Sequence, residues 1–96
     1  MKTIQFKKWV CVLKFGQYHN GRTGIELVSE KDGSPVAVAT VNIPDVYLDK
    51  DEVIIKNYSE NEGMLDTLVN AKIVEPTGRK VHTGFVECDV CKLLVK

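Results

Sequence analysis

Thr3-Ile4-Gln5-Phe6-Lys7-Lys8-Trp9-Val10-Cys11-Val12-Leu13-Lys14-Phe15 is rich in β-branched and aromatic residues, and its alternation predicts extended chain. Its apolar positions change parity at the two lysines, from Ile4 and Phe6 to Trp9, Cys11, Leu13 and Phe15. One strand with a bulge near Lys7-Lys8 accounts for that change, because one inserted residue turns all later side chains to the other face. Downstream, Tyr18-His19-Asn20-Gly21-Arg22 contains Asn-Gly, the dipeptide that most readily supplies the two positive φ angles of a type I′ hairpin turn. A second strand is expected from Thr23 to about Glu30, with Ile25 and Leu27 on one face.

Working outward, Lys31-Asp32-Gly33-Ser34-Pro35 is a second turn, with Pro35 placed at a strand start where its missing N–H is tolerated. Residues 36–41 are apolar on both faces, which predicts a third strand in a central position, covered on each side. A charged connection over residues 42–52 leads to a short buried strand, Val53-Ile54-Ile55. Ser59-Glu60-Asn61-Glu62 matches the capping box, in which serine and glutamate side chains satisfy each other's amides at a helix start. Met64, Leu65, Leu68, Val69 and Ile73 then recur at helical spacing, predicting one helix of about eleven residues. Ile73-Val74-Glu75 reads as strand and Pro76-Thr77-Gly78-Arg79 as a turn. A final strand from Lys80 nearly to Val95 follows, bent or bulged at Gly84. The order β-β-β, β, α, β-β is an α+β fold: a mainly antiparallel sheet with a single helix packed on it, in one domain over residues 1–96.

A chain of 96 residues with 44% hydrophobic and 27% charged content is ordinary globular composition. Thirteen basic and thirteen acidic residues cancel, so the molecule as a whole carries no field that attracts nucleic acid or an anionic membrane. Locally the charges separate. Residues 1–22 hold Lys2, Lys7, Lys8, Lys14 and Arg22 without a carboxylate, whereas residues 45–66 hold seven carboxylates against Lys50 and Lys56. The two segments are expected to lie close together and neutralise each other. No apolar run reaches the roughly 18 residues that cross a bilayer, and the start lacks the features of a signal peptide. A cytoplasmic location is expected, and three cysteines, an odd number, fit a reducing compartment.

Cys88-Asp89-Val90-Cys91 has the Cys-x-x-Cys spacing of redox and zinc sites. It lies in alternating sequence that reads as strand, where residues three apart point to opposite faces with Cα atoms roughly 10 Å apart, beyond disulfide reach. A zinc site would need Cys11, His19 or His82 to meet Cys88 and Cys91 across the fold. Neither histidine stands in a nucleophile-and-base motif, and the glycines fall singly at turns and bends rather than in a phosphate-binding loop. The expectation is a protein without catalytic residues and without a cofactor.

The run Ile54-Ile55-Lys56-Asn57-Tyr58-Ser59-Glu60-Asn61-Glu62-Gly63-Met64-Leu65, then Ile73 to Arg79, then Thr83-Gly84-Phe85-Val86, resembles a family of small uncharacterised proteins of bacterial phages, plasmids and other mobile elements. The resemblance spans residues 53–91. The family typically has a glycine after the helix, where this chain has Lys72 following Asn70-Ala71, so Asn70 is expected to take the left-handed position that ends the helix. The resemblance implies a bacterial cytoplasm and an accessory protein that binds a host or element component, defence systems included.

The leading functional expectation is therefore a non-enzymatic module that binds a protein. Tyr58, Glu60 and Asn61 are the candidate contacts on one loop, with Thr77 and Arg79 on the neighbouring turn. The first alternative is single-stranded nucleic-acid binding through Phe6, Trp9, Phe15 and Tyr18 interleaved with Lys7, Lys8, Lys14 and Arg22. The second is a small metal-binding protein. Edge strands of so small a sheet leave either a monomer or a homodimer open.

Overall fold

A computed structural model describes residues 3–95. It contains strands β1 (Ile4–Phe6), β2 (Trp9–Gln17), β3 (Thr23–Ser29), β4 (Pro35–Val38) and β5 (Glu52–Ile55), then a 3₁₀ turn (Ser59–Asn61) and helix α1 (Met64–Asn70), then β6 (Val74–Thr83) and β7 (Val86–Leu93). The α+β class is as expected. All strand pairings are antiparallel, but they form two sheets, in the orders β1-β2-β3-β4 and β5-β7-β6.

The opening segment is a hairpin and not one bulged strand. Phe6 pairs with Trp9 across a two-residue turn made by Lys7 and Lys8, with Lys7 at φ 55°. A turn reverses the chain and resets which parity faces inward, so the lysine pair produces the same sequence pattern as a bulge. The next turn also differs from its expected type. Tyr18 donates its N–H to Arg22 O (2.8 Å) and Gly21 donates to Tyr18 O (2.9 Å), and only Gly21, at φ 84°, is left-handed. This is the three-residue hairpin with a left-handed third residue, and Asn20 serves it by accepting from the Arg22 N–H.

The segment expected to be a central strand has a different job. β4 is an edge strand with a bulge in its pairing to β3, and its continuation hands the chain to the second sheet. Ala39 donates to Ile25 O in the first sheet and accepts from Lys56 N in the second, both at 2.8 Å, and Val41 donates to Ile54 O (3.0 Å). Apolar Ala39 and polar Thr40 are both buried at the point where the two sheets meet. The Thr40 hydroxyl accepts from Ile25 N (3.1 Å) and is bonded to the Tyr18 hydroxyl (2.8 Å).

Helix α1 packs against β1 and β6, the outermost strands of the two sheets, and so fills the gap between them. Met64 and Leu68 enter a core shared with Ile4, Phe6, Ile25, Leu27, Ile55 and Val74. Full burial of each such side chain stabilises the fold by about 1.5–3 kcal/mol. The opposite face of the second sheet carries Ile54, Val81, Cys88 and Val90, and Val41, Ile43, Val46 and Leu48 of the long connection cover it.

The expected capping box does not form. Ser59 is at φ 54° inside the 3₁₀ turn, Gly63 precedes the helix at φ 94°, and the Asn57 side chain accepts from Leu65 N (2.8 Å). The helix has seven residues, with Ala71 as its C-cap, and the left-handed position expected at Asn70 falls on Lys72. Lys72 is left-handed (φ 61°), with Lys72 N bonded to Val69 O (3.0 Å) and Ile73 N to Leu68 O (2.9 Å). Those two bonds, with Leu68 and Ile73 both buried, make a Schellman motif. Pro76–Arg79 is a bulge rather than a turn, since the pairing of β6 to β7 skips from Pro76 to Lys80. Gly84 (φ 62°) starts the two-residue turn between those strands, so the expected final strand is the end of one strand and the whole of the next.

Replacing Lys72 by glycine removes the cost of a Cβ in the left-handed region and should raise unfolding stability by about 0.5–1 kcal/mol in urea titrations. Thr40→Val leaves the Ile25 amide and the Tyr18 hydroxyl without their shared partner, and should lower stability by about 1–3 kcal/mol in the same assay.

Candidate functional site

Alternation sorts the side chains of the first sheet unambiguously. Ile4, Phe6, Cys11, Leu13, Ile25 and Leu27 face the core. Gln5, Val10, Val12, Lys14 and Gly16, then Gly24, Glu26 and Val28, then Val38, therefore face outward. Val10 and Val38 are each 49% exposed, and no element covers this face among the described residues. Three cross-strand pairs form its centre: Val12 beside Val28, Lys14 beside Glu26, and Gly16 beside Gly24.

The glycine pair shapes the surface. A Cβ on Gly24 would meet the Tyr18 ring at 3.3 Å, because that ring lies across Gly24 on its way to Thr40. A Cβ on Gly16 would meet nothing within 4 Å. The result is a hollow of about 280 Å³ with Gly16 in its floor, bounded by Tyr18, Lys14, Glu26 and Val38. A side chain can enter it from outside.

The loop and turn residues read from sequence do not converge on one site. Asn61 is 1% exposed, which corrects its reading as a surface contact. Its side-chain amide donates to Val38 O (2.6 Å) and Lys56 O (3.1 Å), tying β4 to the end of β5, while Asn61 Oδ1 is buried without a partner. Tyr58 is half-buried against the second apolar cluster. Glu60 is exposed and pairs with Lys56 at 2.7 Å, and the hydrogen bond from Lys56 holds its carboxyl below the ordinary range. Thr77 donates its hydroxyl to Val90 O (2.8 Å), the carbonyl that the bulge would otherwise strand, and Arg79 donates to Tyr47 O (2.6 Å). Tyr47 in turn donates to the Asp49 carboxylate (2.8 Å), which pushes its own ionisation upward.

The basic aromatic segment is divided. Phe6 is in the core, Lys7 donates to Glu60 O (2.8 Å), and Arg22 donates to Ile43 O (2.8 Å) and Val46 O. Trp9 and Phe15, 45% and 40% exposed, stand at opposite ends of β2. The basic and acidic segments touch at Lys7 with Glu60 and at Arg22 with Val46, but the hydrogen bonds of these two cations go to backbone carbonyls, with Lys7 acting on the Glu60 carboxylate only through space.

The three cysteines are free and buried. Cys88 belongs to the outer apolar cluster of the second sheet and Cys91 to the main core, on opposite faces, as parity requires. His82 lies near Glu87 (3.6 Å) on the hairpin of β6 and β7, and His19 is in the turn before β3. No group of three or more His, Cys, Asp or Glu side chains able to hold a metal ion exists among the described residues. The uncovered valine face came from no motif; its signal was the apolar residues at even positions of β2, opposite in parity to the core set. The chain matches no protein family, no curated protein and no solved structure.

Burial raises all three thiols, Cys91 to about 12. An aromatic disulfide reagent at pH 8 should leave the native protein unlabelled and titrate all three thiols after denaturation. An unfolded thiol ionises near 9.0, so between that pH and about 12 the folded Cys91 keeps a proton that the unfolded chain has lost. Stability from this group is complete below pH 9 and falls as pH rises. The drop in urea midpoint between pH 8 and about 10.5 should be smaller in Cys91→Ala than in the parent.

Proposed function

We propose that this chain is a non-enzymatic protein-binding module and that the outward face of β1 to β4 is its docking surface. One observation carries the reading: Val10, Val12, Val28 and Val38 form an apolar patch on a sheet whose other face already holds the core, and nothing in the described chain covers it. Water contact with such a patch is unfavourable by roughly 25 cal/mol per Å² of apolar surface, so a partner that excludes water there gains directly. The hollow over Gly16 gives the patch a shape that a flat surface lacks, and Lys14 and Glu26 give it polarity for orientation.

The resemblance of residues 53–91 to small proteins of bacterial phages and plasmids supports an accessory role in a bacterial cytoplasm, exercised by stoichiometric binding. The nucleic-acid reading is weaker. Lys7 and Arg22 are committed to carbonyls, and Phe6 is buried, which leaves no continuous row of aromatics and cations among the described residues.

The immobilised 96-residue chain should retain a specific protein from bacterial lysate at micromolar concentration, and Val10→Asp or Val38→Lys should abolish that retention. Both positions are half exposed, so the stability lost should be about 1 kcal/mol, too little to unfold the chain. Phe85→Ser, at a fully exposed turn outside this face, should leave capture intact. Retention that survives both valine substitutions would sink the assignment of the surface.

A further inference from the structure

We infer that the partner for which this face is shaped is a second copy of the chain, packed sheet against sheet about a two-fold axis that runs parallel to the strands between β2 and β3. The inference rests on the reading of this face as a protein-docking surface.

Strand register fixes which residues would meet. Val12 and Val28, Lys14 and Glu26, and Gly16 and Gly24 are direct cross-strand neighbours, so each pair stands at one height along the strands. Rotation by a half turn about the stated axis exchanges β2 and β3 between copies while keeping those heights. Val12 then meets the partner's Val28, and Lys14 meets the partner's Glu26. Gly16, the open floor, meets the Gly24 position of the other copy, over which the Tyr18 ring lies. Each hollow receives the other copy's ring, and every central residue finds a complement.

Charge agrees with shape. Lys14 and Glu26 are the only formal charges among these outward positions of β2 and β3, and neither forms an ion pair within 4.0 Å among the described residues. A self-complementary patch of this kind favours its own copy over a partner of one sign. Aligned sheet packing about 10 Å apart is also the ordinary geometry of a β-sandwich, in which twist sets the strands near −30° to each other.

Area sets the strength. Four strands about 4.8 Å apart, with β2 about 30 Å long, offer roughly 350–400 Å² per copy once the short outer strands are allowed for. The total, on the order of 750 Å², falls below the roughly 1,200–2,000 Å² of standard stable interfaces, so the dimer is weak and reversible.

Sedimentation velocity of the untagged full chain, from low micromolar to near millimolar, tests this. Concentration-dependent dimerisation is expected. Lys14→Glu and Glu26→Lys should each raise Kd at least about tenfold by setting like charges face to face, and the double exchange should restore association. Gly16→Ile should keep or raise the melting temperature, since its Cβ has free space within the chain, yet abolish the dimer by filling the hollow. A parent protein that stays monomeric throughout, or single charge reversals that leave association unchanged, would overturn the second-copy assignment. If the parent is monomeric while Val38→Lys still abolishes capture of another protein, the docking surface stands and only its occupant is wrong. A dimer that persists in Gly16→Ile and in both charge reversals places association elsewhere and overturns the inference.

Discussion

The backbone of Ala39 to Val41 is bonded to both sheets at once, and the architecture follows from that shared segment. A strand that kept pairing with β3 would extend the first sheet, and one that left early would release the second. Ala39 instead spends its N–H on Ile25 and its carbonyl on Lys56, two residues later the chain is paired to Ile54, and the layer bends between them. The small side chain of Ala39 suits a point at which two sheets close on one backbone. Thr40 adds a hydroxyl that accepts from the Ile25 amide, and Asn61 adds an amide that bridges Val38 and Lys56 from the far side. These polar side chains are buried because they satisfy backbone groups at a junction where regular ladder bonds run out.

The bend also decides which faces are covered. The second sheet is enclosed on both sides, by the helix-bearing core on one and by the connection after Val41 on the other. That connection starts at the junction, so it is led over the outer face of β5 and β7 and away from the first sheet. Arg22 holds it there through the carbonyls of Ile43 and Val46. The first sheet keeps only its inner covering.

Features that depend on strand parity alone were legible in the sequence. Cys88 and Cys91 fall on opposite faces whatever the sheet order, because three residues of extended chain require it, and the inward set Ile25 and Leu27 follows from the same rule. Features that depend on turn type or on long-range pairing were not. Lys7-Lys8 carries no glycine or asparagine to mark a reversal, and Lys72 adopts a conformation that glycine ordinarily signals. Ser59 and Glu62 satisfied the capping pattern, yet Asn57 took the helix amide, since a side chain eight residues upstream is invisible to a four-residue motif. Pro76–Arg79 reads as a turn by composition, whereas its partner strand runs straight past it and Thr77 repairs the skipped pairing. The candidate surface was hidden for a related reason: valines at Val10, Val12 and Val28 look like core until the junction shows that the covering loop goes elsewhere.

Formal charge was similarly uninformative until the carbonyls were counted. Lys7 and Arg22 stand in a basic segment near an acidic one, and simple neutralisation would send both to carboxylates. Each instead donates to main-chain oxygens of irregular segments, the 3₁₀ turn and the connection, where carbonyls lack ladder partners. A cation used in this way orders a loop and is withdrawn from recognition of anions. With these two cations committed, the charges left on the uncovered sheet are Lys14 and Glu26, neighbours of opposite sign on a neutral apolar face. A surface of that composition exerts little net field at long range, so under the proposed docking role selection would be set at contact, by valines that need apolar atoms opposite them and by the shape of the hollow.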